Sequence, residues 1–326
     1  MATSNKRHGV AHPPPYLDFL LAGIATTTAC LFTNPIEVVK TRMQLQGELT
    51  KSGGVRPYSN PFQAFVLITK TEGWSGIQSG LTPACCYQFV MNGARFGAYA
   101  MIKHVFDVQA RPGEHNSPLV FVKQVCGAAL SGMFGAVIAS PFFLVKIRMQ
   151  ATVNAGRSAT AAAAAAVGAQ HHYRNTWHAF RSIISEEGLK GLARGANAAA
   201  LRVAVGSAAQ LPSYDQCKYL LYHTGWFSHR DSKWLQVCAS LGSGVCVTTA
   251  MNPFDVVATR MYNQPVVDGK GAYYTSPLDC FIKIARAEGL RGFFKGYIAH
   301  YLRLGPHTVL GFVILEWLKK NTARFF

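Results

Sequence analysis

The chain repeats itself three times, and no other feature restricts its fold as strongly. One punctuation recurs: Thr33-Asn34-Pro35-Ile36-Glu37-Val38-Val39-Lys40-Thr41-Arg42, then Ala139-Ser140-Pro141-Phe142-Phe143-Leu144-Val145-Lys146-Ile147-Arg148, then Met251-Asn252-Pro253-Phe254-Asp255-Val256-Val257-Ala258-Thr259-Arg260. The prolines lie 106 and 112 residues apart. Downstream of each comes Glu-Gly, at Glu72-Gly73, Glu187-Gly188 and Glu288-Gly289, and seven residues later a second glycine, Gly80, Gly195 or Gly296. A lysine follows each second glycine at the same distance of 23 residues: Lys103, Lys218 and Lys319. Each repeat therefore reads as an apolar segment interrupted by proline, a polar loop, a short amphipathic helix ending at Glu-Gly, and a second apolar segment.

Hydropathy decides whether those segments pack in water or in lipid. Charged residues make up 14% of the chain, against about 25% in ordinary soluble domains, and the mean hydropathy is +0.13. Two windows, Gln124 to Val145 and Trp234 to Phe254, carry no charge and exceed the roughly 20 residues that a helix needs to span a bilayer. Four more segments, near residues 17–46, 80–108, 195–223 and 296–320, are apolar but hold a few charges. A hydropathy scan undercounts such segments, and their charges point to a water-filled interior. The expectation is an all-α membrane protein with six transmembrane helices in three tandem repeats and both termini on one side. The expected organisation is a disordered segment 1–16 and repeats over 17–110, 118–225 and 232–322. The second repeat carries an alanine-rich loop, 151–173, read as a tolerated insertion without chemistry.

A formal net charge of +17 calls for an anionic partner. Zinc spacing, a homeodomain-like helix and RNP aromatics are all absent, and the basic residues are scattered between apolar segments, so nucleic acid is excluded in favour of anionic lipid and an anionic substrate. The eight cysteines lack C-x-x-C pairing and read as buried free thiols, with no metal site. No apolar stretch with a cleavage site precedes the first span, so no secretory signal is visible. No nucleophile elbow, metal box or phosphate loop occurs either. A transporter without a cofactor is expected rather than an enzyme.

On these residues the chain resembles the mitochondrial carrier family, whose signature P-x-[DE]-x-x-[KR]-x-[RK] occurs three times in register over about residues 17–320. The resemblance implies a pseudo-threefold bundle around a central cavity, alternating between two openings, with the short helices on the matrix side. It implies the mitochondrial inner membrane, termini in the intermembrane space and a functional monomer. It also implies bound cardiolipin, its phosphates on helix N-termini. Close packing is an equal competitor for the glycines there.

The family pairs the acid of one repeat with the base of the next, which gives Glu37 to Lys146 and Asp255 to Lys40 as a matrix gate. The remaining pair would be Phe143 to Ala258, where both charges are missing together. A single orphaned charge is costly, whereas replacing both members by apolar groups can be neutral. Pro35, Pro141 and Pro253 supply shared kinks. The family's glutamine braces map to Gln44, Gln150 and, in the third repeat, Tyr262. A second gate at the cytoplasmic mouth follows [FY]-[DE]-x-x-[KR], seen at Tyr214-Asp215-Gln216-Cys217-Lys218 and loosely at Leu315-Glu316-Trp317-Leu318-Lys319. It pairs Asp215 with Lys319 and Glu316 with Lys103, leaving Lys218 opposite Ala100.

Between the gates, seven residues beyond Gly80, Gly195 and Gly296, stand Tyr87, Arg202 and Arg303, where the family contacts its substrate. Two mid-span arginines imply a hydrated anion site unless they are paired internally, and no spare intramembrane acid is evident to neutralise them. Arginine's planar fork matches a carboxylate, so two of them suit two acidic groups. Gln88, Asn92 and Arg95 follow at helical spacing on the same span. Gln88 and Asn92 either contact substrate or bond between helices, and Arg95 either binds substrate or pairs with a gate acid. Strings such as Gln44-Leu45-Gln46-Gly47-Glu48, Asn92-Gly93-Ala94-Arg95 and Gln210-Leu211-Pro212-Ser213-Tyr214 are similar to the oxaloacetate carriers and their animal relatives. That resemblance implies exchange of oxaloacetate, other dicarboxylates or oxoacids, or of sulfate or thiosulfate. The alternatives are an uncoupling-type proton leak and a carrier of another anionic metabolite.

Overall fold

The computed structural model describes residues 15–49, 57–105, 118–153, 167–225, 229, 232–267 and 269–322. Six long helices dominate: α1 (Pro15–Leu45), α3 (Leu81–Val105), α4 (Pro118–Ala151), α6 (Ala196–His223), α7 (Lys233–Asn263) and α10 (Tyr297–Thr322). Between them run the short helices α2 (Pro61–Ile77), α5 (Thr176–Leu192) and α8 (Pro277–Glu288), the last followed by a single turn, α9 (Leu290–Phe293). A two-residue hairpin, β1 (Val266–Val267) with β2 (Lys270–Gly271), precedes α8.

The repeat in the sequence becomes a repeat in local structure. Asn60, Asn175 and Ser276 each cap a short helix by accepting a hydrogen bond from the backbone N–H three residues on, a favoured way to start a helix. Gly73, Gly188 and Gly289 break those helices with φ of 68°, 70° and 68°, a left-handed conformation that glycine adopts without a Cβ penalty. In α1, α4 and α7 the proline lies inside the helix, which continues ten residues beyond it each time.

The long helices close into a ring in the order α1, α3, α4, α6, α7, α10 and back to α1, while α1, α4 and α7 also touch one another across its centre. The glycines just ahead of α3, α6 and α10 explain that approach. Gly80, Gly195 and Gly296 have φ of 68°, 81° and 71°. A Cβ on Gly80 would stand 3.1 Å from the Lys146 carbonyl oxygen, on Gly195 3.1 Å from the Tyr262 ring, and on Gly296 3.3 Å from the Lys40 carbonyl oxygen. Each repeat thus seats its glycine against the next repeat's proline helix, and close packing accounts for these positions.

Polarity is distributed inside out. Leu20, Ile24, Phe134, Val137, Leu241, Val245, Phe312 and Val313 are exposed, while Arg42, Lys146, Arg148, Arg260 and Asp255 are buried. A protein folding in water does the reverse, and this surface suits hydrocarbon. Among the described residues three stretches, Phe121–Ala151, Trp234–Asn263 and Leu290–Thr322, are long and apolar enough to cross a membrane. On α1 and α6 the charged residues Glu37, Lys40, Arg42 and Arg202 are buried.

Some expectations need correction. α1 begins at Pro15, two residues ahead of the expected first repeat. The cysteines are unpaired, but only Cys30 and Cys280 are buried, and Cys126 and Cys246 are exposed. An apolar run in a ring of helices has an outward face that protein does not cover. The tract Ala159 to Ala166 lies outside the described residues. The ends of its loop are not inert: Thr152 donates to the His171 carbonyl at 2.6 Å, and His171 Nε2 lies 3.0 Å from the Asn263 carbonyl of α7.

Candidate functional site

Where α1, α4 and α7 converge, the residues two and five positions past each proline form one layer. Lys146 Nζ lies 2.6 Å from Glu37 Oε1, and Lys40 Nζ lies 2.5 Å from Asp255 Oδ2. All four side chains are buried. On the third side Phe143 fills the acid's position and Ala258 the base's. The Phe143 ring packs on Tyr87 with centroids 5.0 Å apart and edge-on to Tyr262, also at 5.0 Å.

The braces behave differently from one another. Gln44 donates to Asp255 Oδ2 at 2.7 Å and accepts from Thr259 at 3.0 Å, so it holds the Lys40–Asp255 pair. Gln150 instead accepts from Thr41 and donates to Asn34, with no bond to Glu37 or Lys146. The Tyr262 hydroxyl meets Ser140 at 2.8 Å, since no ion pair exists on its side to brace.

Beneath this layer lies a second threefold set that sequence reasoning missed. Arg42 pairs with Glu72, Arg148 with Glu187, and Arg260 with Glu288, the last at 2.5 Å. Each arginine also caps the end of the next repeat's helix. Arg42 donates to the Gln150 and Thr152 carbonyls, Arg148 to that of Tyr262, and Arg260 to that of Gln44. Helix C-termini carry orphan carbonyls and a partial negative charge, so a cation there stabilises. The signal lay in the register: an arginine seven past each proline and a glutamate before each Glu-Gly glycine.

One turn above the layer stand the two mid-span arginines, and here the expectation of no spare acid fails. Arg303 Nη2 lies 3.1 Å from Glu37 Oε1, and Arg202 Nη1 lies 3.4 Å from Asp255 Oδ1. The network acids face upward into the ring, so each carboxylate serves a lysine below and an arginine above. Arg202 also donates to the Tyr87 hydroxyl at 3.0 Å and lies 4.9 Å over the Phe143 ring. The Nε atoms of Arg202 and Arg303 are buried and make no hydrogen bond.

The other candidates are spread higher on α3. Asn92 donates to Thr26 at 3.0 Å, which is an interhelical bond to α1. Arg95 reaches Ser207 at 3.4 Å and pairs with no carboxylate among the described residues. Gln88 Nε2 lies 2.7 Å from His307 Nε2. Because the Thr33 hydroxyl donates to the Ala29 carbonyl, His307 Nδ1 must donate to Thr33 and its Nε2 accept from Gln88. His300 is fully buried, with Nδ1 3.0 Å from Asn252 Oδ1 and 3.8 Å from Asp255 Oδ2. Both histidines flank Arg303 on one helical face at i−3 and i+4, a stripe the sequence displays and sequence reasoning passed over.

The opposite end of the ring is in another condition. Asp215 and Glu316 are exposed, and neither they nor Lys218 enters an ion pair among the described residues. The expected Asp215 to Lys319 pair is therefore not formed here. The Lys103 side chain lies outside the described residues. In this conformation the proline end is closed by two ion pairs, while Asp215 and Glu316 at the far end are exposed.

In total, four cations (Lys40, Lys146, Arg202 and Arg303) face two carboxylates (Glu37 and Asp255) in one buried region. Two positive charges are left over, with Arg95 a further one above. Uncompensated charge in a dry interior is expensive, so this arrangement is poised to take up an anion of charge about two. Among the described residues no group of histidine, cysteine and carboxylate could hold a metal ion.

Comparison with known proteins comes to the same region of sequence space. A family model described as mitochondrial carrier protein matches residues 11–109, 117–225 and 229–325. The chain is 42% identical over 306 residues to solute carrier family 25 member 35 of Mus musculus, covering 93% of this chain and 97% of that one. It is 40% identical over 304 residues to the mitochondrial oxaloacetate transport protein of Saccharomyces cerevisiae, covering 93% and 88%. To the mitochondrial 2-oxoglutarate/malate carrier protein of Bos taurus it is 35% identical over 313 residues, covering 96% and 93%.

Proposed function

The chain belongs to the mitochondrial carrier family of solute transporters, and on that premise we propose that it exchanges small dicarboxylates and oxoacids across the mitochondrial inner membrane. The observation that carries this reading is the surplus of two positive charges in the buried region between Arg202 and Arg303. A dicarboxylate supplies two negative charges, and each arginine offers a planar fork to one of them. The relatives named for oxaloacetate and for 2-oxoglutarate/malate carry dianionic cargo of that kind.

In this account Lys40, Lys146, Glu37 and Asp255 form the matrix gate, closed in the present conformation, with Gln44 bracing one pair. Arg202 and Arg303 are the substrate contacts, and Tyr87 orients Arg202 through its hydroxyl. The substrate's carboxylates offer these arginines an alternative to the gate acids. Losing Arg303 from Glu37 and Arg202 from Asp255 leaves each acid with its lysine alone, which weakens the lock. Asp215, Glu316, Lys103 and Lys319 come together on the cytoplasmic side once the matrix side opens. Gln88 and Asn92 belong to the cavity wall, and Arg95 contributes potential at its upper rim. The chain works as a monomer with both termini in the intermembrane space.

A cavity of about 340 Å³ lies at the proline end between the first two repeats, lined by Ser75, Ser79, Gly80, Thr82, Arg174 and Thr176 among others. The starts of α3 and α5 meet there, and the partial positive charge of a helix start suits a lipid phosphate such as cardiolipin's.

Purified protein in proteoliposomes, offered a panel of labelled dicarboxylates, oxoacids, sulfate and nucleotides, tests the reading. Exchange confined to small dianions is the expected result. A proton conductance raised by fatty acid and indifferent to dicarboxylates would replace it with an uncoupling function.

A further inference from the structure

Two of the three sides of the proline-end layer are closed by ion pairs, and the third has lost both charges of the repeat pattern at Phe143 and Ala258. That side is not merely filled with apolar volume. Lys146 Nζ lies 5.2 Å from the centroid of the Phe143 ring, and the Arg202 guanidinium lies 4.9 Å from it. Lys146 is also 5.3 Å from the centroid of Tyr87. Tyr262 stands edge-on to Phe143 at 73°, and its hydroxyl is tied to Ser140. An edge-on neighbour sets the orientation of the Phe143 ring.

An aromatic face carries partial negative charge, and it attracts a cation within about 6 Å, more strongly when water is excluded. Phe143 is 3% exposed, and Lys146 and Arg202 are buried with it. We propose that Phe143 closes the third side of the lock as an uncharged stand-in for the missing carboxylate, holding Lys146 and Arg202 on its ring. The position explains why a ring is tolerable where the pattern calls for an acid. With Arg202 and Arg303 counted, the layer and the arginines above it hold four cations against two carboxylates, so the need on this side is for electron density rather than for another lysine's partner. It also gives Arg202 a fixed plane, with one face against Phe143, one Nη on Tyr87 and the other on Asp255. Phe143 is thus a positioning residue shared between the lock and the anion site.

The competing account is that Phe143 packs as any large apolar residue would. Replacing Phe143 by 4-fluoro- and then 3,4,5-trifluorophenylalanine keeps shape and hydrophobicity while draining the negative face. The readout is the thermal unfolding midpoint of the full chain in detergent without substrate, so it does not depend on what the protein transports. A stepwise fall of about 2–4 °C across the series is expected, with a shallower slope in an Arg202→Ala background, where one cation has left the ring. Should Arg202→Ala not fold, the series in the natural background decides alone. Equal midpoints for phenylalanine and its trifluoro form, or the same slope with and without Arg202, would overturn the proposal.

Discussion

Glu37 and Lys146 form one pair, yet their removal should have unequal consequences. Glu37 Oε1 accepts from Lys146 at 2.6 Å and from Arg303 at 3.1 Å. Glu37→Gln therefore strips buried Lys146 and partly buried Arg303 of their carboxylate at once, and leaves four cations facing Asp255 alone. Lys146→Gln leaves Glu37 on Arg303 and reduces the positive surplus. Breaking a buried pair by removing one member costs about 3–5 kcal/mol. Glu37→Gln should pay that in full, and Lys146→Gln should fall at or below the lower end. At roughly 2–4 °C per kcal/mol, the unfolding midpoint in detergent without substrate should drop by about 6 °C or more for Glu37→Gln and by distinctly less for Lys146→Gln. The double swap Glu37→Lys with Lys146→Glu should recover part of the loss, and only part, because Arg303 then faces a lysine. If Lys146→Gln is as damaging as Glu37→Gln, or the swap no better than either reversal alone, the shared-carboxylate account is wrong.

Three further outcomes follow. Phe143→Asp alone should impair transport, because its carboxylate would take up Arg202, which lies 4.9 Å from the ring it replaces, and adding Ala258→Lys should relieve it by giving that carboxylate a lysine of its own, which exchange rates at matched protein would show. Gly80→Ala should destabilise by about 1 kcal/mol or more, because φ is 68° and the new Cβ would meet the Lys146 carbonyl oxygen at 3.1 Å; an unchanged midpoint would contradict the packing role. Burial and the Arg148 guanidinium push His171, in the loop after α4, down to about 4, so the folded chain holds it neutral. An unfolded histidine titrates near 6.5. Its contribution is therefore present above about pH 6.5 and is lost as pH falls toward 4, and His171→Gln should flatten stability in that window.

The parts legible in the sequence were those written three times. Proline, acid and base at fixed offsets put Glu37 and Lys40 on one face past the kink, and the family resemblance that the threefold register carries implies their pairing with Lys146 and Asp255 across the repeats. The paired absence at Phe143 and Ala258 was equally visible. What substitutes for the missing pair was not, since an aromatic face toward two cations depends on ring orientation that only packing with Tyr87 and Tyr262 sets. The sharing of Glu37 and Asp255 with Arg303 and Arg202 was hidden for a similar reason: the family resemblance assigns one base to each acid, whereas the helices bring a second from a different segment. Gln150 followed the brace pattern in sequence and bonds to Thr41 and Asn34 instead, a choice made by local neighbours. Arg42, Arg148 and Arg260 stand in register in the sequence, but their partners Glu72, Glu187 and Glu288 lie about 28–39 residues away across a loop, and only the fold brings them together.

The central claim is that Arg202 and Arg303 receive the two acidic groups of a dicarboxylate. It is tested most directly by exchange of labelled malonate for internal malonate in proteoliposomes holding wild type, Arg202→Ala, Arg303→Ala or the corresponding lysine variants at matched protein. Truncating a hydrogen-bonded charge contact costs on the order of 2–5 kcal/mol, or about thirtyfold and more in binding. The account predicts rapid exchange by wild type, near-complete loss in both alanine variants and severe loss in the lysine variants, which keep the charge without the fork. Malonate exchange by Arg202→Ala at the wild-type rate would contradict it.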